Sequence, residues 1–234
     1  MKPMARLLIH VEGEAEETFI NEVLAPHLYK SGYTNVGARL VGNSRQREKR
    51  GGIRAWSAVR KDILDHLHED PGCLATTMVD YYALPQTKEK AWPGRAEAGR
   101  LAFARKAETV EKALAQDIAE AMGQSFNPNR FVPFVMMHEF EALLFSDCRA
   151  FSRGIGRPDL FDALQAIRDA FPTPEQINDS PITAPSKRVS GLVAGYQKPL
   201  LGTLAALEIG LEPIRRECPH FSDWLTRLAS YADL

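Results

Sequence analysis

Two acidic residues directly follow short apolar segments that have the composition of buried strands. Glu12 follows the segment 6–11, and Asp80 follows the segment 73–79. Gly13 lets the backbone turn sharply from the first strand into a helix. Because ligands bind at the carboxyl edge of an open α/β sheet, we expect both carboxylates at that edge. Carboxylate oxygens suit hard divalent cations, so the pattern indicates chemistry rather than packing.

Three further acids have positions from which they would reach the same edge. Glu16 lies one helical turn after Glu12, and two carboxylates converging there would form a site for a divalent cation. Glu139 and Glu141 follow the fourth apolar segment, and one or both would face the edge. For Glu16 and Glu139 there is a structural alternative, since an acid at a helix N-terminus complements the helix dipole.

Hydrophobic periodicity predicts the elements that hold these acids. We predict four strands, at 6–11, 36–41, 73–79 and 131–137. We predict helices between them at 15–28, 56–67 and 96–122, and a further helix that opens at 138–145. The alternation of strands and helices implies an α/β fold of Rossmann-like type, with a mostly parallel four-stranded sheet flanked by helices and right-handed crossovers.

The second half of the sequence has no convincing strand pattern. Apolar residues at helical spacing predict helices at 160–170, 187–195, 200–209 and 221–231. We therefore divide the chain into an α/β core at 1–147 and a helical C-terminal extension at 148–234, which we expect to pack on the core.

Bulk composition restricts the class of protein. The 234 residues include 29 Lys and Arg against 30 Asp and Glu, so net charge indicates no preference for nucleic acid. Cys73, Cys148 and Cys218 lack the spacing of a zinc site, and an odd, scattered set argues for reduced thiols in a cytosol. No apolar run has the length of a membrane span, and the N-terminus lacks a signal cleavage site. We expect a cytoplasmic protein.

Two basic segments contain residue types that bind phosphate. Ser186, Lys187 and Arg188 follow Pro185 at a predicted helix start, and they offer a hydroxyl, an ammonium and a guanidinium group. The other segment is a glycine-hinged loop, which would hold a nucleic-acid backbone without sequence preference. Its basic residues are Arg45, Arg47, Lys49, Arg50 and Arg54. For both segments the alternative is an ordinary solvated surface.

Aromatic residues and one histidine lie near the predicted edge. Tyr81, Tyr82 and Trp92 follow the third strand, where they would stack on bases or pack in the core. His138 would serve as a ligand, a base or a hydrogen-bonded structural residue.

The residues around Glu12 and Asp80 resemble two motifs of Toprim domains, the metal-dependent fold shared by topoisomerases, primases and the overcoming-lysogenization-defect nucleases. The segment Val11-Glu12-Gly13, followed by Glu16, is similar to their glutamate-bearing first motif. The segment 78–82 occupies the position of their Asp-x-Asp motif. Tyr82 stands where a Toprim nuclease usually has its second aspartate, which removes one metal ligand.

More narrowly, the chain resembles the family called domain of unknown function 4276. This resemblance spans most of the chain. It rests on four motifs: Val11-Glu12-Gly13-x-x-Glu16, Val79-Asp80-Tyr81-Tyr82-x-Leu84-Pro85, His138-Glu139-Phe140-Glu141-Ala142-Leu143-Leu144-Phe145, and Pro185-Ser186-Lys187-Arg188.

The Toprim resemblance implies that Glu12 and Asp80 hold Mg²⁺ or Mn²⁺, with further ligands from Glu16, Glu139 or Glu141. It implies metal-assisted phosphodiester hydrolysis, in which Ser186, Lys187 and Arg188 act on phosphate. The protein would then be a nuclease acting on DNA or RNA, the effector of a bacterial anti-phage system. Since the sequence has no Walker-type glycine-lysine motif, the expected partner is an ATPase of the ABC or structural-maintenance kind.

Two other functions stay open at this stage. A non-catalytic regulatory or binding subunit would keep the fold without full metal ligation, and Tyr82 is the observation that favours it. Converging carboxylates from Glu12, Asp80 and one of the later acids would favour an enzyme, whereas acids neutralised by Arg partners would favour that alternative. A phosphatase or nucleotidyl transferase acting on a small substrate would instead have a closed pocket. A topoisomerase does not fit, because this sequence has no room for a strand-passage gate and a nucleophilic tyrosine domain. A primase does not fit either, because no zinc ribbon or second polymerase module is visible in the sequence.

Overall fold

A parallel β-sheet forms the centre of the computed structural model, which describes residues 5–41, 53–87, 89–177 and 183–232. The strands run in the order β2-β1-β3-β4, and a fifth strand, β5, also pairs with β3. Their bounds are β1 Arg6–Val11, β2 Asn35–Leu40, β3 Cys73–Asp80, β4 Phe131–Val132 and β5 Val135–Met136. All the pairings are parallel. The predicted α/β fold with a mostly parallel sheet is therefore confirmed.

The register of the two central strands brings the predicted acids to one edge. Val11 of β1 is paired with Met78 of β3. Glu12 comes one residue after this pair and Asp80 comes two residues after it, so the two acids lie at nearly the same level of the sheet. Because both strands run in the same direction, both acids leave the sheet at its carboxyl edge.

Pro133 divides the predicted fourth strand into β4 and β5. Proline has no N–H to donate to a ladder, so the pairing is interrupted there. The hydroxyl of Thr77 bridges the gap, since it donates to the Phe134 carbonyl and accepts from the Phe134 N–H, both at 3.0 Å. The prediction of one continuous strand over 131–137 was wrong, because the side chain of Thr77 in β3 replaces a backbone hydrogen bond of the ladder.

Helices cover both faces of the sheet in the first part of the chain. The first helical segment continues from α1 through a π-helical turn at Ile20–Leu24 into α2. The helices are α1 Glu14–Phe19, α2 Ala25–Lys30, α3 Trp56–Glu69, α4 Arg95–Ala98 and α5 Phe103–Met122.

The long helix predicted at 96–122 is two helices, α4 and α5, because the chain turns between them at Gly99. Gly94 begins α4 with φ of +70° and lies against α5. A Cβ atom there would be 2.8 Å from the Thr109 carbonyl oxygen, so only glycine permits this close approach. Helical periodicity continues through both segments, and for that reason it did not reveal the turn.

The remaining helices form the C-terminal half, and the described part of that half contains no strand. They are α6 Glu141–Leu144, α7 Cys148–Gly154, α8 Phe161–Asp169, α9 Pro185–Leu192, α10 Thr203–Ile209, α11 Leu211–Glu217 and α12 Pro219–Tyr231. A π-helical turn, Lys198–Gly202, leads directly into α10. The helical C-terminal half is confirmed, although α7 and α11 were not predicted.

Two apolar clusters hold these layers together, one on each face of the sheet. On one face, Leu7 and Ile9 of β1 pack with α1 and with helices of the C-terminal half. On the other face, α3 and α5 pack against Ala75 and Val79 of β3. Trp224 of α12 fastens the helical half to the sheet, because its indole N–H donates to the Thr76 hydroxyl at 2.9 Å.

A helix that crosses a membrane must be both long and apolar, and this requirement can be applied to the described helices. None of them combines the length and the apolar character that crossing a bilayer requires.

Candidate functional site

Two glutamates converge at the turn between β1 and α1. Glu12 follows the last residue of β1, and Glu16 lies in the first turn of α1, where it is buried. A Cβ atom on Gly13 would be 3.1 Å from Glu16 Oε2. The absence of a side chain at Gly13 therefore leaves room for the Glu16 carboxylate to fold back over the turn.

Asp80 is held rigidly at the end of β3. One carboxylate oxygen, Oδ1, accepts a hydrogen bond from the Phe140 N–H at 2.9 Å. The other, Oδ2, lies 3.4 Å from Nζ of Lys198. Asp80 is thereby joined both to the segment before α6 and to the turn before α10.

Glu141 begins α6 and is completely buried. Its Oε2 atom lies 2.9 Å from Nζ of Lys198, so one ammonium group lies between the carboxylates of Asp80 and Glu141. We call the group formed by Glu12, Glu16, Asp80, Glu141 and Lys198 the carboxylate edge. Within the described part of the chain, Glu12 Oε2 and Glu141 Oε1 have no hydrogen-bond partner.

The charges of the carboxylate edge act strongly on one another. Burial raises the pKa of Glu12 to about 7, and the nearby charges of Glu16 and Glu141 add to this effect. The pKa of Asp80 is raised well above its ordinary value, first by burial and then by Glu12 and Glu16, against the opposing charge of Lys198. The pKa of Lys198 is itself raised, because the charges of Asp80 and Glu141 outweigh its burial. The edge therefore holds more carboxyl groups than a single ammonium group can neutralise, and their mutual repulsion favours protonation of some of them when no further cation is bound.

Glu139 takes a different position from Glu141. Its Oε2 atom accepts a hydrogen bond from the Ser186 N–H at 2.9 Å. Ser186 is the second residue of α9, so Glu139 caps the start of that helix and brings it toward the carboxylate edge. The backbone N–H of Ser186, a residue that we predicted to bind phosphate, is thus already hydrogen-bonded within the protein.

The structure describes only some of the other predicted phosphate-binding residues, and none of those described forms an ion pair with an acid of the carboxylate edge. Lys187 is exposed on α9 and makes no ion pair with the described residues. Arg188 donates to the Thr183 carbonyl at 2.9 Å, and its guanidinium lies over the Phe171 ring. Arg45, Arg47, Lys49 and Arg50 lie outside the described residues. Arg54 is paired with Asp62 of α3 at 2.8 Å.

Of the three aromatic residues that follow β3, Tyr82 is the one that is only partly buried. Its ring stacks on His138 with 4.9 Å between ring centroids. Tyr81 is buried beneath the guanidinium of Arg95, and Trp92 is buried against Trp56. Tyr81 and Trp92 thus serve the core. His138 is also buried and lies among aromatic rings.

Lys198 was not predicted from the sequence. It is the only charged residue between Arg188 and Glu208, and neither its spacing nor its neighbours indicate a functional role. It meets Asp80 across 118 residues of sequence, so only the folded chain reveals the contact.

A family model for a domain of unknown function, DUF4276, matches residues 11–229. The chain belongs to the DUF4276 family. No curated protein matches it significantly. Among solved structures, the C-terminal region of the OLD protein of Xanthomonas campestris pv. campestris is similar, at 15% identity with a TM-score of 0.37. The similarity covers 95% of this chain and 96% of that chain.

In this DUF4276 protein, all four sequence motifs contribute to one region. The first motif supplies Glu12 and Glu16, the second Asp80, and the third Glu139 and Glu141. The fourth motif joins this region through the hydrogen bond of Ser186 to Glu139.

The carboxylate edge has donor chemistry that suits a hard cation. Its donors are carboxylate oxygens, its acids outnumber its one ammonium group, and two of its buried oxygen atoms have no hydrogen-bond partner among the described residues. Across the residues that the structure describes, however, no three His, Cys, Asp or Glu side chains are arranged as a group that could hold a metal ion. The edge therefore fits a divalent cation in chemistry and charge, while its side chains are not drawn together as a cage.

Proposed function

We propose that this protein is a Mg²⁺- or Mn²⁺-dependent phosphodiesterase that hydrolyses nucleic acid. The observation that carries the proposal is the convergence of the partly buried carboxylate of Glu12 with the buried carboxylates of Asp80 and Glu141 at the carboxyl edge of β1 and β3. Several partly unpaired acids at one such edge favour ligand binding over packing.

The residues that would hold the metal are Glu12 and Asp80, with Glu141 as the nearest further acid. Mg²⁺ often keeps several waters and binds through one or two carboxylates together with substrate phosphate. The absence of a three-residue cage in the described part of the chain is compatible with that mode. When bound, such an ion supplies Lewis-acid polarisation of a phosphoryl oxygen.

The chain's own residues contribute acid–base and electrostatic groups. Glu12 Oε2 has no hydrogen-bond partner within the described residues, so it can accept one from an attacking water. Without a bound cation, burial raises the pKa of Glu12 to about 7, and a bound cation would favour its ionised form. Lys198 supplies an ammonium beside these acids, which suits the negative charge of a phosphate.

Nucleic acid is the substrate that the surrounding charges favour. Lys187 is exposed on α9, whose start is joined to the edge through Glu139. In the sequence, Arg45, Arg47 and Arg50 add a basic segment after β2. Such groups bind a phosphate backbone without sequence preference, and the affinity falls as salt concentration rises. We extend the proposal to a cytoplasmic effector of phage defence that works with a partner ATPase.

A second candidate function is a non-catalytic subunit of an ATPase complex. It is favoured by the position of Lys198, which already neutralises part of the charge of Asp80 and Glu141. It is also favoured by Tyr82, which stands where a second aspartate would complete the metal ligands.

Calorimetric titration with Mn²⁺ tests the proposal and separates the two candidates. The titrations compare the wild type with Glu12→Gln and Asp80→Asn, with and without a non-cleavable oligonucleotide, and hydrolysis is assayed in parallel. We expect weak binding that tightens with the oligonucleotide, and loss of both binding and hydrolysis in the variants. Glu108→Gln, an exposed acid of α5, is the matched control. If the variants leave metal binding and hydrolysis unchanged, the non-catalytic subunit is the better account.

A further inference from the structure

Lys198 occupies the place between acids where a cation would be expected to bind. Its Nζ atom lies 2.9 Å from Glu141 Oε2 and 3.4 Å from Asp80 Oδ2. These acids come from two separate elements, α6 and β3, and Lys198 comes from a third, the turn before α10. The ammonium group is thus a covalently attached cation at the carboxylate edge.

The lysine side chain can leave this place without a change in the fold. It is 38% exposed, whereas the side chains of Glu141 and Asp80 are 0% and 6% exposed. A lysine stem is flexible and can present its ammonium group to solvent. The acids, in contrast, are fixed by burial.

The backbone that carries Lys198 is anchored on both sides. Tyr196 packs against the apolar core. On the other side, α10 lies so close to α7 that a Cβ atom on Gly154 would be 2.7 Å from Ala205 Cα. Movement of Lys198 is therefore confined to its side chain, and the attachment point stays beside the acids.

A divalent cation at this edge would compete with the ammonium group. Two cations a few ångströms apart repel each other strongly, so the same oxygens do not serve both at once. A divalent ion carries twice the charge, and it would also satisfy oxygen atoms that Lys198 leaves unpaired, such as Glu141 Oε1.

We propose that Lys198 is a built-in competitor that occupies the carboxylate edge until a divalent cation displaces its ammonium group. This inference rests on the proposed function, because it requires metal binding at the edge. Displacement leaves the ammonium group tethered beside the site, where a substrate phosphate would pair with it. Metal and phosphate would therefore bind more tightly together than separately, each favouring the displaced lysine.

The main test measures Mn²⁺ affinity in metal-free protein. We expect Lys198→Met to bind Mn²⁺ at least about tenfold more tightly than the wild type, because the competing charge is gone. Lys198→Arg retains the charge and should show no such gain. Lys112→Met, which removes an exposed lysine of α5, is the matched control. Titrations at mildly alkaline pH favour the ionised carboxylates that metal binding requires.

The outcomes separate this inference from the proposed function. If the wild type binds Mn²⁺ and Lys198→Met binds it no more tightly, the competition is disproved while the metal-dependent function stands. If neither protein binds Mn²⁺, with or without an oligonucleotide, the proposed function fails and the inference fails with it.

A second measurement needs only the wild type, in case Lys198→Met does not fold. An amine-acetylating reagent modifies exposed lysines, and mass spectrometry then gives the modification rate at each position. We expect saturating Mg²⁺ to raise the rate at Lys198 several-fold and to leave the rate at Lys112 unchanged. An unchanged rate at Lys198, under conditions in which calorimetry shows bound metal, would overturn the proposal.

Discussion

Buried and partly buried acids occur in two of the regions that the structure describes, and the hydrogen bonding of their carboxylate oxygens differs between the two. At the carboxylate edge, Glu12 and Glu141 each retain an oxygen without a hydrogen-bond partner in the described structure. At the start of α12, Glu175 accepts backbone N–H groups with both oxygens, from His220 at 3.1 Å and Phe221 at 2.9 Å. Nearby, Glu111 Oε1 accepts from the Val135 N–H and pairs with the His220 ring. We call Glu111, Glu175 and His220 the helix junction.

The difference separates acids that support the fold from acids that remain available to a ligand. The first N–H groups of a helix need partners, and Glu175 provides them for α12. The backbone N–H of Val135 needs a hydrogen-bond partner, because β5 begins only two residues after the interruption at Pro133. Glu111 provides that partner. Unpaired buried oxygens are costly, so their persistence at the carboxylate edge points to a role in binding.

Glu175→Ala should have the largest effect on stability. It leaves two backbone N–H groups without partners at the buried start of α12, and we expect a loss of about 3 kcal/mol in the free energy of unfolding. Urea denaturation gives the measurement. Glu212→Ala, at an exposed position of α11, should change stability by less than about 0.5 kcal/mol. Equal losses in the free energy of unfolding at the two positions would show that Glu175 does not stabilise the start of α12.

Glu12→Gln should stabilise the protein instead, and only at higher pH. Burial raises the pKa of Glu12 from 4.5 to about 7, so the folded state binds its proton more tightly than the unfolded state. Stability contributed by the protonated form is therefore lost as pH rises from about 4.5 to 7. Above that range we expect Glu12→Gln to be more stable than the wild type by about 2 kcal/mol.

Urea denaturation over a pH series measures this difference in stability, and a parallel series with Mg²⁺ tests whether the charge of Glu12 causes it. Bound metal would neutralise Glu12 and reduce the advantage of the variant. A variant that is less stable than the wild type at every pH would place Glu12 with the acids that support the fold.

The positions of Glu12 and Asp80 could be predicted because they depend on local pattern and parallel order. Each acid follows an apolar strand, and the helices between the strands require the parallel direction. Their common edge follows from these two facts alone. The divided strand at Pro133 could not be predicted in full, because the replacement hydrogen bonds come from Thr77 on another strand.

The roles of Glu139 and Glu141 could not be separated from the sequence. The two acids are two residues apart, and in the structure Glu141, the first residue of α6, is completely buried whereas Glu139 is only partly buried. Lys198 was beyond prediction for a related reason. Its contacts depend on how the turn before α10 folds across the sheet edge, and no local pattern encodes that path.

Glu139→Ala tests whether this acid belongs with the helix caps or with the carboxylate edge. The Ser186 hydrogen bond makes it a cap for α9, and we expect a loss of about 1 kcal/mol in stability. Mn²⁺ affinity should change far less than in Asp80→Asn. Calorimetry and urea denaturation on the same samples give both values. A loss of metal affinity as large as that of Asp80→Asn would make Glu139 a ligand instead of a cap.

The smallest expected effect concerns His220 and the pH dependence of the helix junction. Burial alone would lower the pKa of His220, but its hydrogen bond to Glu111 and the charges of Glu111 and Glu175 raise it above the ordinary value. The protonated ring therefore contributes stability at low pH, and this contribution is lost as pH rises through the raised pKa, above about 6.5. We expect His220→Gln to flatten that part of the stability profile.

Added Mg²⁺ distinguishes the contribution of His220 to the pH dependence of stability from the contribution of Glu12, which falls in a neighbouring pH range. Mg²⁺ should suppress the pH dependence that originates at Glu12 and leave the part due to His220 unchanged, because the helix junction has no role in binding. NMR titration of the His220 ring provides an independent measurement of its pKa. If the ring titrates below the ordinary histidine value, burial outweighs Glu111, and the junction does not hold the charged pair on which the comparison with the carboxylate edge depends.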